Sequence, residues 1–136
     1  MLGRKVSDTK CPGSYDPAMG DTIRELTDEA IRFRDARDWA QFHRPKDLAL
    51  GLSIEAGELG ELLLWKTDAD IEAALATPRF RERVGEELAD VTLFLLYLAH
   101  RTGTDLAAAV RDKLGKNAAK YPVERFRGSA RKYDET

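Results

Sequence analysis

Between Leu48 and Trp65 the only side chains that carry a hydrogen-bonding oxygen are Ser53, Glu55, Glu58 and Glu61; every other residue is Leu, Ile, Ala, Gly or Trp. A helix built from this segment is apolar almost all round, the pattern of a membrane span or of a helix buried on every side. Three glutamates would each need neutralising or pairing in lipid, so the membrane reading is the costly one. The chain, at 136 residues, makes one domain of ordinary size, too small a bundle to enclose a helix completely. A second subunit is therefore expected to cover one face of this helix. Gly51, Gly57 and Gly60 each cost about 1 kcal/mol of helix propensity relative to Ala, which points to close helix contacts at these positions.

The remaining sequence fits the same class. Strand-forming residues are thinly spread, and segments rich in Ala, Leu, Glu and Arg are separated by caps and breakers. The first helix is expected to start near Asp21 or Thr22, where Thr22 and Glu25 have capping-box spacing, and to run to about Ala40. Its inner stripe would be Ile23, Leu26, Ala30, Phe33 and Arg37. Pro45 breaks the chain, and Asp47 can cap a second helix from about Leu48 to Lys66. A short third helix fits 68–76 and a fourth fits 79–101, stopping before Gly103. A fifth opens at Thr104 or Asp105 and ends at Pro122. Short loops favour antiparallel neighbours, so the expected fold is all-α, a compact four- to five-helix bundle assembling into a homo-oligomer. Residues 1–20 read as a flexible lead-in, 21–122 as the helical domain and 123–136 as a basic tail. The one cysteine, Cys11, cannot form an internal disulfide, and no apolar run of signal-peptide length is present, so a cytoplasmic location is expected.

At ~100° per residue, Glu55 falls between Leu62 on one side and Leu48 and Leu59 on the other, with Glu58 beside Gly51. On the fourth helix Glu87 and Asp90, again three apart, sit among Val91, Phe94 and Leu98. Antiparallel packing of the two helices would bring four carboxylates together. Convergent anions in a low-dielectric interior repel unless protons or cations intervene, so the pattern implies a metal or strongly raised pKa values. Oxygen-only donors indicate Mg²⁺ or Mn²⁺. A di-iron centre needs two Glu-x-x-His elements, and neither His43 nor His100 completes one. Zinc is disfavoured by the single cysteine and the lack of paired histidines. Glu61 and Glu86 read equally well as solvent-facing acids.

The fifth helix turns from apolar to cationic where Leu106 and Val110 give way to Lys113, Asn117 and Lys120. From Lys113 to Lys132 seven basic residues accompany one acid, Glu124, a composition suited to phosphates that also touch a divalent metal. The plainer alternative is a solvated basic tail. Trp39 and Trp65 flank the acid-bearing helix, and either could stack on a nucleobase, worth roughly 1–3 kcal/mol per base, or simply join the core. His43 could hydrogen-bond a base edge or close the turn. Acids and bases are nearly balanced, 24 against 22, which argues against a general DNA- or RNA-coating role.

These residues resemble a known family. The string Asp38-Trp39-Ala40-Gln41-Phe42-His43-Arg44-Pro45-Lys46, then Glu55-Ala56-Gly57-Glu58-Leu59 and Leu64-Trp65-Lys66, is similar to the MazG-like all-α nucleoside triphosphate pyrophosphohydrolases, most of all their dCTP pyrophosphatase branch. Glu86-Glu87-Leu88-Ala89-Asp90 resembles the second acidic motif. Lys120-Tyr121-Pro122 and the segment Arg127 to Tyr133 resemble the C-terminal motif. The resemblance implies a homotetramer, a dimer of dimers, that converts a deoxynucleoside triphosphate, dCTP or a modified pyrimidine nucleotide, to the monophosphate and pyrophosphate in nucleotide-pool house-cleaning. It implies Glu55, Glu58, Glu87 and Asp90 as ligands of Mg²⁺, with Mn²⁺ a substitute. Trp39, His43, Trp65 and Phe94 would surround the nucleotide, and Lys113, Asn117, Lys120, Tyr121, Arg127 and Lys132 would serve its phosphates. Glu55, Glu58 and Glu61 are the candidate catalytic carboxylates, with Glu58 or Glu61 orienting the water. The broader family pattern begins with two adjacent glutamates, and Ile54 stands at the first of them here, as in the dCTP pyrophosphatase branch. Animal members of that branch carry His where Ala30 falls and Tyr where Phe94 falls, so the preferred base stays open. A noncatalytic helical module that senses nucleotide or metal is the alternative function.

Overall fold

Thr22 caps the first helix of the computed structural model, α1 (Ile23–Asp35), by accepting from the Glu25 amide at 3.2 Å, while Glu25 reaches back to the Thr22 amide at 3.1 Å. This is the reciprocal capping box that the sequence predicts. The structure describes residues 22–134; the expected lead-in over 1–20, with Cys11, lies outside the described residues. Among the described residues all regular structure is helical.

Several helix ends differ from expectation for local reasons. α1 stops at Asp35 rather than near Ala40, because Asp38 takes the left-handed conformation at φ 55° and Trp39–Phe42 then forms a single 3-10 turn. Pro45 starts the next helix instead of breaking the chain before it. Proline lacks the amide that the first turn leaves unpaired, and its φ already suits a helix. α2 accordingly spans Pro45–Glu61, with Asp47 inside its first turn rather than at the cap. It ends before Lys66 because residues 62–65 tighten into turns and Trp65 sits at φ 62°. α3 (Asp68–Leu75) opens with a second capping box, Thr67 with Asp70. α4 (Pro78–Thr102) is terminated by Gly103 at φ 67°, a left-handed position that suits glycine. α5 (Leu106–Lys120) is capped by Asp105, whose carboxylate accepts from the Ala108 amide at 2.9 Å. A short α6 (Val123–Phe126) lies in the segment read as tail.

α4 is the central helix. It packs most extensively on α2, with α1 and α3 alongside. The two run antiparallel: Leu48 joins Tyr97 in the core, Gly51 meets Phe94, and the Glu55–Glu58 turn meets Glu87. Gly51 is what allows the close approach, since a Cβ there would collide with the Phe94 ring, 2.7 Å from both Cδ1 and Cζ. Gly57 and Gly60 have no such neighbour within 4 Å. Ala30, Leu48 and Tyr97 form the core with Ile31, Phe94 and Leu98 against it, and the Tyr97 hydroxyl donates to the Ala30 carbonyl at 3.1 Å.

That core is small for the apolar surface available. Of the stripe expected on α1, only Ala30 is buried; Ile23, Leu26 and Phe33 stay exposed, and Arg34 is buried in their stead. Leu26 and Phe33 line an apolar groove of about 760 Å³ between α1 and α4, together with Leu88 and Leu93. On α2, Leu50 and Ile54 are 56% and 60% exposed. Among the described residues no helix is long and apolar enough to cross a membrane.

Candidate metal and nucleotide site

Residues three apart share a helix face, so Glu55 and Glu58 project together from α2, and Glu87 and Asp90 together from α4. The glycine contact one turn earlier, at Gly51, sets how near those faces come. One carboxylate oxygen from each of Glu55, Glu58 and Glu87 lies within 4.8 Å of the other two. Asp90 stands one turn further along α4, and its charge also acts on Glu55. Glu55 is half-buried. Burial first, then the negative charges of Glu58, Asp90 and Glu87, hold its carboxyl above the usual carboxylate range. Oxygen donors alone, clustered and mutually repelling, are the donor set of a hard divalent cation. Glu61, the last residue of α2, and Glu86 on α4 are exposed.

The residues expected around a nucleotide fall into three groups. His43 and Phe94 are half-buried in the fold. The His43 ring packs edge-on to Tyr97 at 4.5 Å, and its buried Nδ1 has no hydrogen-bond partner. Burial, and then the nearby Arg34 guanidinium, push the His43 pKa below its ordinary value, against a smaller opposing pull from Asp35. Phe94 packs on Gly51.

Trp39 and Trp65 are outside. Trp39 is 45% exposed and Trp65 93%. Trp39 has Phe33 at 6.0 Å, edge to face, whereas Trp65 rides on a backbone conformation that side chains with a Cβ rarely adopt.

The cationic group sits at the other end of the chain. Lys113 is exposed on α5 and Asn117 is half-buried. The Lys120 amine lies 4.8 Å over the Tyr133 ring, and Tyr121 packs edge-on to Phe126 at 5.1 Å and to Tyr133 at 5.9 Å, folding the tail back on the end of α5. Arg127 and Lys132 are exposed along that tail. α5 has no extensive contact with α2. The structure thus brings Glu55, Glu58 and Glu87 together, with Asp90 acting on Glu55, and does not pack the helix of Lys113, Asn117 and Lys120 extensively against α2.

One buried group beside His43 escaped the sequence reading. Arg34 is paired with Asp35 at 2.6 Å and, with Tyr97, surrounds His43. Arg34 lies one residue off the expected stripe of α1, so helical spacing alone was a weak signal for it. Phe33 and Arg37, both placed on that inner stripe by the sequence, are exposed, and the Arg37 guanidinium stacks on the Phe33 ring.

Comparison with known proteins follows the same lines. The model of the MazG-like family matches residues 50–136. Human dCTP pyrophosphatase 1 is 41% identical over 128 residues, covering 94% of this chain and 75% of that protein. The mouse dCTP pyrophosphatase 1 is 43% identical over 134 residues, covering 98% and 78%. The crystal structure of a pyrophosphatase from Archaeoglobus fulgidus superposes with a TM-score of 0.67 at 40% identity, covering 74% of this chain and 92% of that one. Matched over most of its length in both sequence and fold, the chain belongs to the MazG-like family.

Proposed function

We propose that this chain is a divalent-metal-dependent nucleoside triphosphate diphosphatase that acts on dCTP or a modified pyrimidine deoxynucleotide, releasing the monophosphate and pyrophosphate. The cluster of Glu55, Glu58 and Glu87 carries the reading, and the relatives named dCTP pyrophosphatase 1 supply the substrate. Those three residues, with Asp90 from the next turn of α4, would hold Mg²⁺ or Mn²⁺. When bound, such a cation would offset charge on the phosphate chain under attack by water. Glu58 or the exposed Glu61 would orient that water, and Glu55, whose carboxyl burial and the neighbouring acids hold above the usual carboxylate range, would give up its proton more readily once a cation offsets those charges.

Trp39 and Trp65 offer exposed ring faces on which a base can stack. His43, neutral near pH 7 because its pKa is lowered, would act on the base edge, and Phe94 would back the acids from the core. Lys113, Asn117, Lys120, Tyr121, Arg127 and Lys132 would meet the phosphates from a neighbouring copy. The uncovered apolar surface of α2 and the α1–α4 groove support assembly into a homotetramer, a dimer of dimers. The single cysteine fits work in a reducing cytoplasm.

The test is a panel of deoxynucleoside triphosphates incubated with the purified protein and Mg²⁺, with products identified by ion-exchange chromatography. Pyrophosphate and monophosphate should appear, fastest with a pyrimidine. Orthophosphate as the product, or no hydrolysis of any nucleotide, overturns the proposal.

A further inference from the structure

At the end of α1, Arg37 donates from Nη1 to the Phe33 carbonyl at 2.8 Å and lays its guanidinium 3.6 Å from the centroid of the Phe33 ring. The same guanidinium is 5.8 Å from the Trp39 ring, and the Phe33 and Trp39 rings meet at 74°. The chain between them is built to keep this arrangement. Asp38 is left-handed at φ 55°, and Gln41 Nε2 donates both to the Asp38 carbonyl at 2.9 Å and to its carboxylate at 3.0 Å. Phe33, Arg37 and Trp39 are nonetheless all exposed, so this ordered stack buries little apolar surface. An exposed stack held by a cation over one ring, a backbone hydrogen bond and a locked turn fixes the direction of the tryptophan more than it stabilises the fold.

We infer that Arg37, stacked on Phe33, is a positioning residue that sets the orientation of Trp39 toward a pyrimidine base. The inference rests on the reading of Trp39 as a base-stacking residue. Arg37 acts through the ring it holds, by its planar fork and not by its charge, since a compact ammonium makes neither the flat stack nor the directed bond.

The experiment compares Arg37→Met, Arg37→Lys and Trp39→Ala with the wild type in dCTP turnover with Mg²⁺. The orientation of Trp39 is read by acrylamide quenching of fluorescence in a Trp65→Phe background, where Trp39 is the sole tryptophan. Both Arg37 variants should raise KM about five-fold with kcat changed less than about two-fold, and both should make Trp39 about two-fold more quenchable, because a loosened ring loses stacking. Restoration of wild-type KM by Arg37→Lys alone would show a charge effect on the triphosphate and overturn the inference. So would unchanged quenching in Arg37→Met. If Trp39→Ala leaves KM unaltered, the stacking reading itself fails, and the quenching data, which need no nucleotide, show whether the stack on Phe33 still orders the ring.

Discussion

The ring of Phe94 fills the space that a Cβ on Gly51 would occupy, so the spacing of α2 and α4 is set by an absent side chain. One turn further on, the same spacing brings Glu55 and Glu58 up to Glu87. The glycine is therefore tied to the acid cluster as well as to the core.

Gly51→Ala should destabilise the protein by about 1–3 kcal/mol, the usual result of forcing volume into a packed contact. Pairing it with Phe94→Leu should cost less than the two changes summed, because they share one space. Thermal melts of the single and double variants check this; strict additivity would mean the two residues are not in contact.

Glu55 holds its proton more tightly in the folded chain than in the unfolded one, because burial and three neighbouring carboxylates disfavour its charge. At pH below the unfolded-state pKa both states are protonated and nothing is lost. As the pH rises from there through the folded-state pKa, the charge appears and stability falls. In EDTA, Glu55→Gln should be more stable than wild type near about pH 7 and lose that advantage at about pH 4. Melts at the two pH values decide; an equal difference at both contradicts the repulsion.

Trp65 keeps a left-handed backbone while almost wholly exposed, an arrangement that the chain tolerates without recovering burial energy. Trp65→Gly removes the clash of Cβ with the following carbonyl and should stabilise by about 1 kcal/mol. The same change should raise the KM for nucleotide, since the stacking ring is gone. A variant that is more stable and equally able to bind would assign Trp65 no part in recognition.

Glu87→Gln should lower kcat/KM by at least about 100-fold and leave a folded protein that needs far more Mg²⁺ to saturate. Glu61→Gln, at an exposed position on the last residue of α2, separates its two readings. A loss of about 100-fold in kcat with the Mg²⁺ requirement unchanged marks a residue that orients water, and wild-type kcat marks a solvated acid.

The helical class and the acid cluster were legible because both depend on short-range periodicity. Thr22 with Glu25 predicts its cap outright, and the three-residue spacing of Glu55 with Glu58 fixes a shared face whatever surrounds it. Helix ends were less legible where a backbone choice decided them: nothing in the side chains of Asp38 or Trp65 demands a positive φ, and each closes its element early. Pro45 was read as a breaker when its missing amide made it a starter. The inner face of α1 was misplaced by one step, toward Phe33 and away from Arg34, because an exposed apolar stripe and a buried one look alike in one chain.

On the proposed function, the carboxylates of α2 and α4 hold a divalent cation for cleavage of a triphosphate between its first two phosphates. Phosphorus NMR of dCTP with the protein tests it most directly, run with Mg²⁺, with EDTA and with Asp90→Asn. Signals of dCMP and pyrophosphate should grow only with Mg²⁺ and the wild-type chain. Undiminished turnover in EDTA, or in the Asp90→Asn variant, or a product spectrum of dCDP and orthophosphate, would contradict it.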